Sequence, residues 1–512
     1  MMKDSSSMSS QPCYMSRLPV ELLCKIFLLP HAEYHNECPI IDYCSQRHPI
    51  CISHVCRQWR AIALHTSALW AILHVNPVTV RSDRLCAFLE RSASYPLTIS
   101  IYTHGPQQSN FIFLGELYLY LLSKLQPHAS RWRALHIASR NDDMHNQVLE
   151  FLRNITAPAL RRFRVRGDIT VEGHRFPLPF HGEMTQLEDL YLDGVQLSWS
   201  HCRLQNLRSL TLIGCFGITL AELLVLLSSC PGLVNLTLDL FSIVDPGDTT
   251  HVVTMPALER FVFHISIRLI HLVWNRISLP RLRSLTLYPR GRDHRPALKL
   301  LTLPHPATPT SPPPSWSLTS LGLWPRSEVS GFTGTLFHEL PHVRVLFLCP
   351  NDRMASSISI YDLTMHSKSA YSPSAAHDGP ALVLPRLTTL MLAEGRCSDG
   401  SVKCVSWDLL RDAVIRRRVA GVPLRKLFIE HEQAWAHDPP EEASWLLENL
   451  DAFGMMPKFW QLQIMNMEYP EDCCVIEAEQ AGTWAFERLC ERLGFTLFKP
   501  RRQPAATSGE VE

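Results

Sequence analysis

A triplet of apolar residues, the second three positions after the first and the third two further on, recurs twelve times along this chain. The central copies are Leu187/Leu190/Leu192, Leu207/Leu210/Leu212, Leu233/Leu236/Leu238, Leu258/Phe261/Phe263 and Leu282/Leu285/Leu287. Leu318/Leu321/Leu323, Val343/Leu346/Leu348, Leu387/Leu390/Leu392, Leu424/Leu427/Ile429 and Phe459/Leu462/Ile464 follow, and Trp132/Leu135/Ile137 and Leu160/Phe163/Val165 precede them more loosely. Seven copies carry a proline two residues ahead: Pro158, Pro231, Pro256, Pro280, Pro341, Pro385 and Pro457. One such triplet is common in any leucine-rich chain, but twelve, seven of them with the same proline, are not coincidence.

In an extended strand the last two positions of the triplet share one face. A proline just ahead suits the start of a strand and stops a helix from running into it. Between copies lie stretches of helical period, clearest over Thr219–Ser229, Val405–Val419 and Glu441–Phe453. A unit of one strand and one helix cannot bury its apolar face alone, so successive units must stack. The copies from Leu190 to Leu285 lie 20 to 26 residues apart. The pattern resembles leucine-rich repeats, without most of the asparagines of the regular form. The expected fold class is an α/β solenoid, a small all-α N-terminal module followed by an irregular horseshoe of strands and helices over residues 76–500. Proline-rich 304–317 and Ser/Ala/His-rich 351–380 are expected as inserted loops, and 501–512 as a polar tail.

The N-terminal segment, after a polar leader over 1–15, has a different character. Ser16-Arg17-Leu18-Pro19 leads into VELLCKIF, where Leu22, Leu23, Ile26 and Phe27 form an apolar stripe. A second helix is expected through Ile52, Val55, Cys56, Trp59 and Ala63, with Trp70 closing the unit at about residue 75. LPVELLCKIF, then ISHVCRQWRAIA, then LW resembles an F-box of the type common among fungal proteins, over residues 16–75. The polar segment His31–Pro49 departs from the family as an insertion-like connection. The resemblance implies that Leu18, Pro19, Leu22, Ile26, Val55 and Trp59 bind, or back the surface that binds, the Skp-type adaptor of a cullin–RING ubiquitin ligase.

Other chemistry finds little support. Hydrophobic residues make up 46% of the chain and charged residues 19%, with net charge +1. The chain is therefore globular, and nothing global favours nucleic acid or an anionic membrane. No apolar run approaches the ~20 residues that cross a bilayer. The start, Ser-rich and polar, is not a signal peptide, and sixteen cysteines show no pairing pattern. Both point to a reducing compartment, cytoplasm or nucleus. His31, His35, Cys38, Cys44, His48, Cys51, His54 and Cys56 cluster, but without closely paired zinc ligands. Arg161, Arg162, Arg164 and Arg166 alternate with Phe163 and Val165 as a solvated strand face, and Arg416–Arg418 end a helix where cations complement its dipole. GxSxG, GxxxxGK[ST] and GxGxxG are absent from the sequence. No enzymatic activity, metal or cofactor is expected.

The expected function is substrate recognition in an SCF-type ligase, the alternative being a repeat scaffold acting outside it. Residues alternating with the apolar pairs would face a target protein: Tyr191, Asp193, Thr211, Thr237, Asp239, His264, Tyr288, Trp324, Phe347, Phe428 and Glu430.

Overall fold

The computed structural model describes residues 18–34, 43–76, 82–102, 111–139, 142–167, 176–177, 180, 184–195, 197–198, 204–215, 218–240, 243–244, 251–290, 318–323, 337, 340–348, 383–392, 407–430, 441–456 and 496–498. The chain divides into two units, Met1–Asp168 with Pro179–Gln186, and Ile169–Leu178 with Leu187–Glu512. The expected loops 304–317 and 351–380, the triplet at Phe459, Pro457 and Trp324 lie outside the described residues.

The first unit opens with helices α1 (Val20–Tyr34), α2 (Tyr43–Ser53) and α3 (Arg57–His65), then a 3-10 turn over Ser67–Trp70. Pro19 starts α1 by offering its carbonyl to the N–H groups of Leu22 and Leu23, both at 3.1 Å. The single helix expected over Ile52–Ala63 is two. The chain breaks at His54–Cys56, where Cys56 takes an extended conformation and its Sγ accepts the Trp59 N–H at 3.4 Å. This N-cap satisfies a donor at the start of α3, and Arg60 Nε spans the break to the Ser53 carbonyl at 2.8 Å. The described parts of the insertion-like His31–Pro49 are also helical, ending α1 and beginning α2, with Pro49 inside α2.

Leu23, Phe27, Ile52, Ile62, Ala63, Leu69 and Trp70 are the core of this module. Trp59 packs on Phe27 with ring centroids 4.8 Å apart. Trp70 ties the module to the strands that follow. Its indole N–H donates to the Ala63 carbonyl at 2.8 Å, and Phe88 meets it edge-on at 5.0 Å. The guanidinium of Arg91 lies 4.4 Å over the ring.

Four parallel strands follow in order, β1 (Ile72–Val75), β2 (Leu97–Tyr102), β3 (Trp132–Ala138) and β4 (Arg162–Arg166). Helices α4 (Ser82–Arg91), α5 (Phe111–Leu125) and α6 (Asp142–Arg153) connect them. Parallel neighbours need such crossovers. The register aligns Leu73, Ile99, Leu135 and Phe163 in one row and Val75, Ile101, Ile137 and Val165 in the next. All eight are buried, together with Leu85, Phe88 and Leu89 of α4, Leu121, Leu122 and Leu125 of α5, and Val148, Leu149 and Leu152 of α6.

The second unit repeats this arrangement. Its strands are β5 (Asp189–Asp193), β6 (Ser209–Cys215), β7 (Asn235–Leu240), β8 (Arg260–Ser266), β9 (Ser284–Arg290), β10 (Ser320–Leu323), β11 (Val345–Leu348), β12 (Thr389–Leu392), β13 (Lys426–Glu430) and β14 (Ala452–Met456). They run parallel in sequence order, and β15 (Thr496–Phe498) adds antiparallel to β14. Helices α7 (Leu220–Ser228), α8 (Ile267–Trp274), α9 (Trp407–Val419) and α10 (Glu441–Asn449) lie between strands. Helix α7 opens on a capping box between Thr219 and Glu222.

Each described triplet is buried at all three positions. The ladder aligns the middle residues Leu190, Leu210, Leu236, Phe261, Leu285, Leu321, Leu346, Leu390 and Leu427 across the sheet. Each residue so buried contributes about 1.5–3 kcal/mol. The backbone repeats as faithfully. At each step from Glu188 to Asp451 one carbonyl accepts two successive N–H groups of the next unit, as when Arg208 and Ser209 donate to Glu188 and Val234 and Asn235 to Arg208.

The proline has a sharper role than starting a strand. The N–H of Leu233 donates to the Cys230 carbonyl, Leu258 to Met255, Leu282 to Leu279, Val343 to Leu340 and Leu387 to Leu384. Each bond closes a four-residue turn with the proline second, the position its fixed φ pre-sets. The residue opening each turn (Cys230, Met255, Leu279, Leu340 and Leu384) is itself buried. The repeat therefore has a further apolar position that the triplet leaves out.

One helical expectation needs correction. Helix α10 stops at Asn449, and Phe453, expected on it, lies in β14 opposite Leu427. Leu450/Phe453/Met455 is thus one more triplet. In α9, Arg417 is buried, with the guanidinium donating to the carbonyls of Val383 at 3.0 Å and Leu384 at 2.7 Å. Arg416 pairs with Asp412 at 2.8 Å, and Arg418 donates to the Asn449 carbonyl at 2.5 Å. These three arginines do more than complement a helix dipole.

Candidate functional site

The apolar stripe of α1 divides into two faces. Leu23 and Phe27 are buried in the module, whereas Leu22 is 45% exposed and Ile26 40%. Val55, on the turn before α3, is 60% exposed. Pro19 is exposed, and Leu18 and Trp59 are half-buried. The six residues expected at an adaptor surface thus lie at or near the surface of the module, with Trp59 joining that surface to the core through Phe27. Two further residues belong with them. Val20 is 50% exposed and Leu29 62%. Leu29 follows Leu22 by seven positions and Ile26 by three, a helical spacing that the sequence already carried. Leu22, Ile26 and Leu29 thus give this small helical module an exposed aliphatic face.

Only part of the Cys/His cluster lies among the described side chains. No group of three or more His, Cys, Asp or Glu side chains is placed to hold a metal among the described residues. His48 Nε2 hydrogen-bonds the Phe27 carbonyl at 2.9 Å, Cys56 caps α3, and Cys24, Cys51 and Cys56 are free thiols. His35 and Cys38 lie outside the described residues.

The residues expected to face a target are of two kinds. The register places Asp193, Asp239, His264 and Tyr288 in one row, with Ile213 between the two aspartates. His264 Nδ1 lies 3.8 Å from Asp239 Oδ2, each side chain 14% exposed, and the Tyr191 hydroxyl donates to Asp193 Oδ2 at 3.4 Å. Glu430 ends β13. Tyr191, Thr211, Phe347 and Phe428, by contrast, are buried. Phe347, Met391 and Phe428 form one row across β11–β13, all at most 6% exposed, so these strands are covered on both faces, as parallel sheets commonly are.

On the first unit, the face opposite the leucine rows is polar. His74, Ser100, His136 and Arg164 share one cross-strand row, with Arg162 and Arg166 two residues either side of Arg164. Burial pushes the His136 imidazole well below its ordinary range, and Arg164, Arg162 and His74 push it in the same direction. Below about pH 6.5 the unfolded chain protonates this histidine and the folded chain does not, so acid costs up to about 1.4 kcal/mol of stability per pH unit from this group. Stability measured by denaturant titration from pH 7 to pH 5 is expected to fall less steeply in His136→Gln than in the parent. Equal slopes would remove His136 as the source.

Among known families, a model of the F-box-like domain matches residues 15–76. That match spans α1, α2, α3, the Trp70 turn and β1. Residues 15–76 are an F-box-like domain. No curated protein matches the chain. F-box domains generally bind Skp-type adaptors, and F-box proteins are typically adaptors without enzymatic activity. The exposed aliphatics of α1 therefore lie within the F-box-like domain.

Proposed function

We propose that this chain is the substrate-recruiting subunit of an SCF-type cullin–RING ubiquitin ligase, acting inside the cell. The observation that carries the reading is the division of labour in α1. Leu23 and Phe27 hold the F-box-like domain together, while Leu22, Ile26 and Leu29 remain outside its core. A Skp-type adaptor that covers these residues also stabilises the domain, because whatever binds only the folded form shifts folding by mass action. The parallel-strand sheet, with its register repeated strand after strand, fits a leucine-rich-repeat array wound as a solenoid of the fungal F-box kind. That array would hold the target, with the Asp193, Asp239, His264, Tyr288 and Glu430 positions on the recruiting face. The chain itself performs no chemistry in this scheme, which raises the local concentration of target near a ubiquitin-conjugating enzyme.

The test is affinity purification of the intact chain under proteasome inhibition. Skp-type adaptor and cullin scaffold are expected in the eluate and lost with Leu18→Ala plus Pro19→Ala. An intact, folded chain that captures neither overturns the reading.

A further inference from the structure

Where the strands of the second unit begin, one residue per repeat carries the backbone step to the next strand. From β9 to β14 these residues are Arg283, Thr319, Arg344, Thr388, Arg425 and Asp451. The carbonyl of each but the last accepts two N–H groups of the following unit, at 2.8 to 3.2 Å. Neighbouring strands lie about 4.8 Å apart, so the three arginines recur about every 10 Å along a rigid edge. All three are exposed. Thr319 and Thr388, between them, turn their hydroxyls back onto the carbonyls of Arg283 and Arg344, at 3.2 and 3.3 Å. The gaps thus hold small side chains already engaged with the backbone.

The charge of this row changes along the unit. Its earlier members are Glu188, Arg208, Val234 and Glu259, a mixture of both signs. From Arg283 to Arg425 the described strand entries, 279–284, 318–320, 340–345, 383–389 and 422–426, hold no aspartate or glutamate. Arg281 and Arg386, both exposed, add to the strip, while Glu259 and Asp451 flank it on the adjoining strands. Among the described residues, no hydrogen bond or ion pair engages the side chains of these five arginines. On a chain of net charge +1 this is a local field of one sign, not a share of a general excess.

We propose that this edge binds an acidic protein segment in polyproline-II conformation, with a carboxylate at every third residue meeting Arg283, Arg344 and Arg425 in turn. Such a segment has three residues per turn and rises about 9.3 Å per turn, so every third side chain lies on one side at nearly the spacing of the arginines. The guanidinium fork matches a carboxylate with two parallel hydrogen bonds. Two turns of α-helix rise about 10.8 Å, a poorer match that worsens from the first arginine to the third. Nucleic acid fits less well still. The strand entries offer no Phe, Tyr or Trp on which bases could stack, and a duplex carries a charge about every 1.7 Å, far denser than the row. The inference concerns the second unit alone and does not depend on the ligase role.

The test is fluorescence anisotropy of the intact chain with peptides of Glu-Pro-Pro repeats. Two controls accompany them, Gln-Pro-Pro repeats and a peptide of the same composition as the first with its glutamates in one block. The Glu-Pro-Pro peptide is expected to bind about tenfold tighter than either control, and less tightly as sodium chloride is raised. Arg283→Gln, Arg344→Gln and Arg425→Gln together should erase the difference while leaving melting temperature and adaptor capture unchanged. Arg208→Gln, on the mixed part of the same row, should leave the difference intact. Equal binding of the Glu and Gln peptides overturns the proposal, and equal binding of the spaced and blocked peptides overturns the matched spacing on which it stands. An RNA oligonucleotide that binds this strip more tightly than the Glu-Pro-Pro peptide overturns it in favour of nucleic acid.

Discussion

Leu22→Asp combined with Ile26→Asp is expected to weaken capture of a Skp-type adaptor by about a hundredfold or more, while leaving the chain folded. Both side chains already meet water, so two carboxylates there cost the free protein little. In a complex they would be desolvated against apolar surface, at several kcal/mol for an unpaired charge. Pulldown of purified adaptor measures the loss, and an unchanged melting temperature shows that it is not unfolding. Leu23→Asp is the contrasting variant. Leu23 is fully buried, so this change should unfold the module outright. If the Leu22/Ile26 variant binds the adaptor as the parent does, α1 is not the docking helix.

The second large effect is expected at Arg417. This residue is 1% exposed, and its guanidinium reaches three carbonyls of the turn before β12, those of Val383, Leu384 and Leu387. Burial lowers its pKa from the ordinary value to about 10. Leu384 adopts a left-handed conformation with φ of 50°, costing roughly 1–2 kcal/mol for a residue with a side chain. Arg417 stabilises that turn by satisfying its carbonyls. Arg417→Ala removes the donors and leaves a cavity, and should destabilise the second unit by about 3–5 kcal/mol in chemical denaturation. Arg417→Lys, with a single ammonium in place of a fork, should fall between parent and alanine. A loss below about 1 kcal/mol in the alanine variant would contradict this role.

Much of this architecture was legible because burial writes a period into the sequence. A residue pair two apart on a strand with one face against helices must be apolar in every unit, and so the leucine rows could be read directly. The position opening the proline turn was harder to see. Cys230, Met255, Leu279, Leu340 and Leu384 share burial but not residue type, and the bond that unites them lies in the backbone. Trp70/Leu73/Val75 satisfies the triplet spacing too, yet the helical module claims Trp70, which in fact serves both. The break between α2 and α3 was hidden by an apolar periodicity that continues across it, because the cap is a cysteine and not one of the usual Ser, Thr, Asp or Asn.

The candidate site shows the same limit. A helical wheel identifies Leu22, Leu23, Ile26 and Phe27 as apolar. Only packing decides that Leu23 and Phe27 turn inward, leaving the other pair exposed. On the large sheet, alternation predicts which face Phe347 and Phe428 occupy, but not that this face is covered at β11–β13. Burial of a polar-looking face depends on residues distant in sequence, and no local pattern encodes it.

On the proposed reading, the exposed aliphatics of the F-box-like domain form an adaptor-binding surface. Isothermal titration calorimetry of the purified intact chain with a purified Skp-type adaptor tests it most directly. One-to-one binding tighter than about 1 μM is expected, with a negative heat-capacity change, the signature of apolar burial. No heat of binding from an intact, folded chain at concentrations well above that value would contradict it.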